Sequence, residues 1–162
     1  MDTTLRMTGA LDPREAWSAG DRCSIGRALD VVGTRSAFLI LREAFYGTTR
    51  FDDFAERVGI SEPATAARLR ELVDEGLLER EDYREPGQRP RQRYRLTPKG
   101  TDLFPALVAL MQWGDRWLAS RGGPVELVHR DCGERTGVEL RCAAGHRVEA
   151  GELDLAPGRS RN

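Results

Sequence analysis

Between Arg84 and Thr97 the chain reads REPGQRPRQRYRLT, which sets five arginines (Arg84, Arg89, Arg91, Arg93 and Arg95) around two prolines and a glycine, with Glu85 the one acid among them. Guanidinium groups stay charged at any physiological pH and present a rigid fork of donors that fits phosphate oxygens. Abundance alone explains little, because the chain has 24 arginines against one lysine, Lys99. Placement carries the information: the preceding run, ELVDEGLLERED, is dominated by acids, and the formal net charge of the whole chain is only -1. Such a balance argues against a generally basic nucleic-acid protein and leaves room for one local basic surface.

Other residues with chemistry to offer are fewer. Cys23 stands at or just before the start of a helix, where amide dipoles favour a thiolate, so it is a candidate redox sensor; its alternative is a small packing residue. Phe38, Phe45, Phe104, Trp113 and Trp117 form an aromatic set that suits a small-molecule effector pocket, or else core and subunit seam. In the tail, HRDCG and RCAAGH place His129, Cys132, Cys142 and His146 on two glycine-containing turns. Imidazole and thiolate from two such turns can complete a tetrahedron around zinc. The pattern departs from paired Cys-x-x-Cys turns, so a metal-free hairpin with no cofactor is the reading adopted. No phosphate loop, nucleophile elbow or pair of catalytic carboxylates occurs, which argues against an enzyme.

Helices and strands must position these groups. CSIGRALDVVG spaces Ile25, Leu29 and Val32 as a helix does and stops at Gly33, and TRSAFLILREAFYG reads as a second helix capped by Thr34. RFDDFAERVG is a short third helix. ISEPATAARLRELVDEGLL follows with Ser61 as its cap, Pro63 in its first turn, and Leu69, Leu72 and Val73 facing inward. LLEREDY and RQRYRL alternate as two strands on either side of the arginine-rich tip. TPKGTDLFPALVALMQWGDRWLAS predicts one long helix capped by Thr97. Beyond it, VELVHR, GVELRC and HRVEA are short strand candidates. The expected division is an N-terminal arm (1–20), a main domain (21–120) and a small β-rich extension (121–162). Apolar runs are too short to span a bilayer and nothing resembles a secretory leader, so a cytoplasmic protein with no membrane partner is expected.

Four helices, a two-stranded hairpin with a basic tip and a further helix make a mainly α fold with a small β wing, a winged helix-turn-helix. Its fourth helix enters the major groove of double-stranded DNA while the hairpin lies along the backbone. Candidate contacts are Arg50, Ser61, Pro63, Ala64, Thr65, Ala67 and Arg68 from the helix pair, with Arg84, Gln88, Arg89, Arg91 and Arg93 from the wing. Arg68 either reads a guanine edge by a two-pronged hydrogen bond or pairs with Glu71 or Glu75. The competing reading is a winged helix turned to protein binding without DNA.

The run from Cys23 to Leu118, with its leading cysteine, LIL, Arg50-Phe51, GIS, RLRELVDEGLLER and YRLTPKG, resembles the HxlR family of MarR-like winged helix-turn-helix transcriptional regulators. The resemblance implies a sequence-specific regulator, a homodimer built from the first and last helices, and palindromic operators. It also implies a repressor or activator role, with some members using the cysteine matched by Cys23 to sense oxidants or electrophiles; a dimeric repressor that answers a small molecule or oxidants and electrophiles is the expectation adopted. One departure stands out: where the family carries Lys-Trp after the glycine of the second helix, this chain has GTRSAF, with Ser36 in the tryptophan's place.

Overall fold

The computed structural model describes residues 4–84 and 91–158. In chain order its regular elements are β1 (Arg6–Met7), α1 (Ser24–Val32), α2 (Arg35–Phe45), α3 (Phe51–Val58), α4 (Glu62–Asp74), β2 (Leu78–Tyr83), β3 (Arg91–Leu96), α5 (Pro98–Thr101), α6 (Phe104–Trp117) and β4 (Asp154–Leu155). The chain divides into two compact units. One runs from Ser24 to Thr136, and the other joins the residues up to Cys23 with those from Gly137 onward. This differs from the three-part division expected, because the arm does not stand alone: β1 pairs in parallel with β4, and Arg6 donates to the Asp154 carboxylate through Nε (2.9 Å) and Nη2 (2.8 Å).

In the Ser24–Thr136 unit, apolar spacing becomes core. Thr34 caps α2 by accepting from the Ala37 amide (3.2 Å), which sets the helix so that Ala37, Ile40 and Leu41 point inward. Phe54 and Val58 of α3 and Leu69 and Leu72 of α4 meet them, and Leu77, Leu78, Tyr94 and Leu107 close the cluster. Each fully buried leucine or phenylalanine contributes about 1.5–3 kcal/mol. The turn between α3 and α4 depends on Gly59, whose φ of 70° is a conformation that side chains disfavour. Beneath the α2–α3 turn lies a buried polar group that apolar spacing does not announce. The Glu43 carboxylate accepts from Arg42 (Nε 3.1 Å, Nη2 2.6 Å) and from the Thr48 hydroxyl (3.2 Å), and Arg57 Nη1 donates to that hydroxyl (2.8 Å).

β2 and β3 form an antiparallel ladder from Leu78↔Leu96 to Tyr83↔Arg91. Leu78 and Tyr94 face the core, with Tyr94 meeting the ring of Phe54 edge-on at 6.1 Å. The TPKG motif after β3 fastens the hairpin to the end of α4. Thr97 Oγ1 donates to Gly76 O (2.6 Å) and accepts from the Gly100 amide (3.1 Å), and a Cβ at Gly100 would fall 2.1 Å from Leu77 O.

Two expectations need correction. The single helix from Thr97 is broken into α5 and α6, because Pro105 has no N–H to bond back and its ring clashes with the carbonyl four residues earlier. The tail candidates VELVHR, GVELRC and HRVEA do not form strands; two isolated bridges remain there, Val128↔Arg135 and Arg141↔Arg147. Val125, Val128, Val138 and Leu140 are all exposed, so no buried face holds a ladder together.

Candidate nucleic-acid interface

The geometry of α4 decides which of its side chains can reach a ligand. Thr65, Leu69 and Leu72 are buried, whereas Glu62, Pro63, Ala64, Ala67, Arg70 and Glu71 are exposed, and the cap Ser61 sits exposed at the helix entrance. Thr65 is therefore removed from the contact set: it has no exposed surface, and its hydroxyl donates to Ser61 O (3.1 Å) inside the first turn. Arg68 lies on the flank of the exposed face. Its side chain is 22% exposed and its guanidinium pairs with the Glu71 carboxylate. Arg70 was missed by sequence reasoning, although its place three residues after Ala67 puts it on the same outward stripe. It has no partner among the described residues.

On the wing, strand alternation gathers Glu81 and Tyr83 of β2 with Arg91, Arg93 and Arg95 of β3 on the face away from the core. Arg50 joins them through an isolated antiparallel bridge to Arg93, while the Tyr94 amide donates to Thr49 O (2.8 Å). The guanidinium carbons of Arg50 and Arg93 stand 5.8 and 5.7 Å from the centre of the Tyr83 ring. Glu81 lies opposite Arg93 and accepts from its Nε (2.9 Å) and Nη2 (2.7 Å), and its carboxylate also takes Nε of Arg95 (2.6 Å). Hydrogen bonding from Arg93 holds the Glu81 carboxyl below the usual carboxylate range, so it stays ionised at neutral pH. Arg50 and Arg91 border a hollow of about 400 Å³ together with Phe51, Asp52, Tyr83, Gln92 and Tyr94. Arg84 is exposed beside the tip, while Gln88 and Arg89 lie outside the described residues. A surface with fixed cations beside an exposed helix can hold a phosphate backbone and present side chains to base edges.

The aromatic candidates, all in the Ser24–Thr136 unit, do not converge on one place. Phe45 and Phe104 pair with ring centroids 4.9 Å apart. Phe38 lines an apolar hollow of about 220 Å³ between α2 and α6, with Leu39, Tyr46, Leu107, Leu110 and Met111. Trp113 and Trp117 instead face outward from α6, with Arg116 over the Trp117 ring at 4.9 Å. Cys23 is half-buried, and its amide donates to Gly20 O (3.1 Å). His129 Nδ1 lies 3.2 Å from Cys132 Sγ, whereas Cys142 and His146, in the other unit, meet through their backbones, Cys142 N donating to His146 O (3.0 Å). Among the described residues no group of three or more His, Cys, Asp or Glu side chains gathers to hold an ion, and no helix is long and apolar enough to cross a membrane.

Comparison with known proteins agrees with this geometry. Residues 31–121 match the HxlR-like helix-turn-helix family. Rv3095, an HTH-type transcriptional regulator of Mycobacterium tuberculosis, is 45% identical over 137 residues, covering 83% of this chain and 85% of the relative. The crystal structure of PA1607, described as a candidate transcription factor, is similar with a TM-score of 0.75 and 36% identity, covering 89% of this chain and 98% of that one. HypR, a redox regulator seen in its oxidised form, gives a TM-score of 0.53 and 28% identity over 58% of this chain and 96% of its own. These likenesses favour DNA over the protein-binding alternative. With its helix pair, its arginine-lined wing and the match across more than half its length, the chain belongs to the HxlR-like helix-turn-helix family of DNA-binding transcriptional regulators.

Proposed function

We propose that this regulator acts as a cytoplasmic homodimeric repressor, each subunit placing α4 in a major groove and its wing on the adjacent backbone. The observation that carries the dimer is an apolar face left uncovered on α1 and α6. Ile25 is 73% exposed, Trp113 54%, Trp117 64% and Leu118 74%, and Leu29 and Leu110 are exposed beside them. An apolar surface of this kind on a water-soluble regulator suits a second copy, and pairing two subunits sets two half-sites about one helical turn, or roughly 10 base pairs, apart. In this reading Ser61, Pro63, Ala64, Ala67 and Arg70 face the groove, and Arg50, Arg84, Arg91 and Arg93, with Gln88 and Arg89 of the tip, meet phosphates.

The test joins mass to footprint. Sedimentation should give twice the chain mass, and footprinting should show two protected half-sites. A Leu110→Glu, Trp113→Glu double variant should sediment as a single chain and lose the paired footprint. A parent chain that binds one unpaired site as a monomer would sink the dimer. For the signal, Cys23 is the residue proposed, supported by the likeness to a redox regulator. Cys23→Ser is expected to keep operator binding and lose any response to mild oxidants or quinones, whereas an unchanged response assigns the signal elsewhere. The hollow beside Phe38 is the place proposed for a small apolar effector.

A further inference from the structure

The wing holds its own counterion on the face that carries its arginines. Glu81 binds Arg93 side-on through two nitrogens and takes Nε of Arg95 as well, so one carboxylate occupies donor edges of two of the guanidinium groups of β3. These pairs are exposed, and exposed ion pairs are weak. A phosphate that comes close enough can therefore take over those edges at little cost, whereas one held at a distance meets arginines already neutralised and a carboxylate that repels it.

From this geometry, and resting on the reading that the wing lies on DNA, we infer that Glu81 is a selectivity residue. It penalises loosely docked duplex and is displaced only when α4 seats fully in its groove. Discrimination between partners commonly needs such a repulsive element as well as attractive ones. Arg91 makes no ion pair of this kind among the described residues, so it supplies the first, indiscriminate attraction, and Arg93 and Arg95 are released later.

The charge arithmetic gives the size of the effect. Freeing Arg93 from its built-in counterion acts like adding one phosphate contact, so log K against log salt should steepen by about 1 and affinity near 0.1 M salt should rise roughly fivefold to tenfold. Gln at this position keeps an oxygen acceptor for Arg93, so the hairpin stays built. Glu79, on the same strand and across the ladder from Arg95, makes no ion pair among the described residues; Glu79→Gln changes net charge equally and serves as the control.

The experiment measures binding of the full-length parent, Glu81→Gln, Glu79→Gln and Glu81→Asp to a random-sequence duplex and to an operator selected from genomic DNA, each across a salt series. The expected result is that Glu81→Gln alone tightens random duplex by that factor with the steeper slope, gains less on the operator, and so narrows the ratio between them. Glu81→Asp, which keeps the charge, should stay close to the parent. Unchanged or weaker binding of random duplex by Glu81→Gln overturns the inference and leaves Glu81 as a strut for the wing. An equal gain from Glu79→Gln also overturns it, because the effect then belongs to net charge. A parent that binds neither duplex fails the DNA reading itself, a result separable from either of these.

Discussion

Polar side chains differ here in what they are tied to, and that decides what each can do. Glu43 is buried with both carboxylate oxygens engaged, by Arg42 and by Thr48, so removing it leaves the Thr48 hydroxyl proton without its acceptor and loosens the turn that leads to Arg50. Glu43→Ala is expected to lower stability by about 1–3 kcal/mol in urea unfolding, the upper part of the range for buried pairs being out of reach because Arg42 is one-third exposed. No change in the midpoint would show that the network is not holding the turn. On α4 the two arginines part company. Arg70→Ala should weaken operator binding by about tenfold, the loss of one good base or phosphate contact, while Arg68→Ala should alter it by less than about threefold because its charge is turned toward Glu71. A reversed order of the two effects would restore Arg68 as the base reader.

Among the elements, what the sequence announces is what local rules determine. Helix starts at Thr34 and Ser61, stops at Gly33 and Gly59, and the alternation of β2 and β3 follow from caps, φ preference and apolar period, each of which acts within a few residues. The break at Pro105 is equally local, but the apolar stripe that runs through it from Leu103 to Trp117 masks it. Burial across elements was less legible: Ile25 and Leu29 have core spacing yet lie exposed, because spacing records that a face is apolar and not what covers it. The tail alternates like a strand, but its Val125, Val128, Val138 and Leu140 side chains stay exposed. In the site, the basic wing could be read from composition, whereas the role of Glu81 needed the register that sets it against Arg93. The turn between α3 and α4 gives the test at this scale. Gly59→Ala, forced to a φ of 70°, is expected to cost about 1 kcal/mol and to weaken DNA binding, since α4 is aimed from that turn. Unaltered stability would mean the turn can relax to another conformation.

Across the whole molecule, the pairing of β1 with β4 ties a stretch near one end of the sequence to a stretch near the other, with Arg6 and Asp154 separated by 148 positions. Arg6 holds the Asp154 carboxyl below the usual carboxylate range, so this pair contributes at neutral and mildly acid pH and is lost as pH falls through that lowered value. Protection of the Thr8 amide, which donates to Leu155 O (3.0 Å), taken relative to its intrinsic exchange rate at each pH, should therefore persist through mild acid and fall only in strong acid; loss of protection already near pH 5 would refute the assignment. The same pairing imposes an order of events. Bringing together two strands so far apart in an open chain carries a large loop-closure entropy for the return of a two-residue ladder. The ladder becomes favourable only once the intervening helices have condensed and shortened the effective tether. It should be the last part to assemble on refolding and the first to come apart on heating, so limited proteolysis on warming should nick the stretch around Arg6 to Leu11 while the residues of α2 to α4 are still protected.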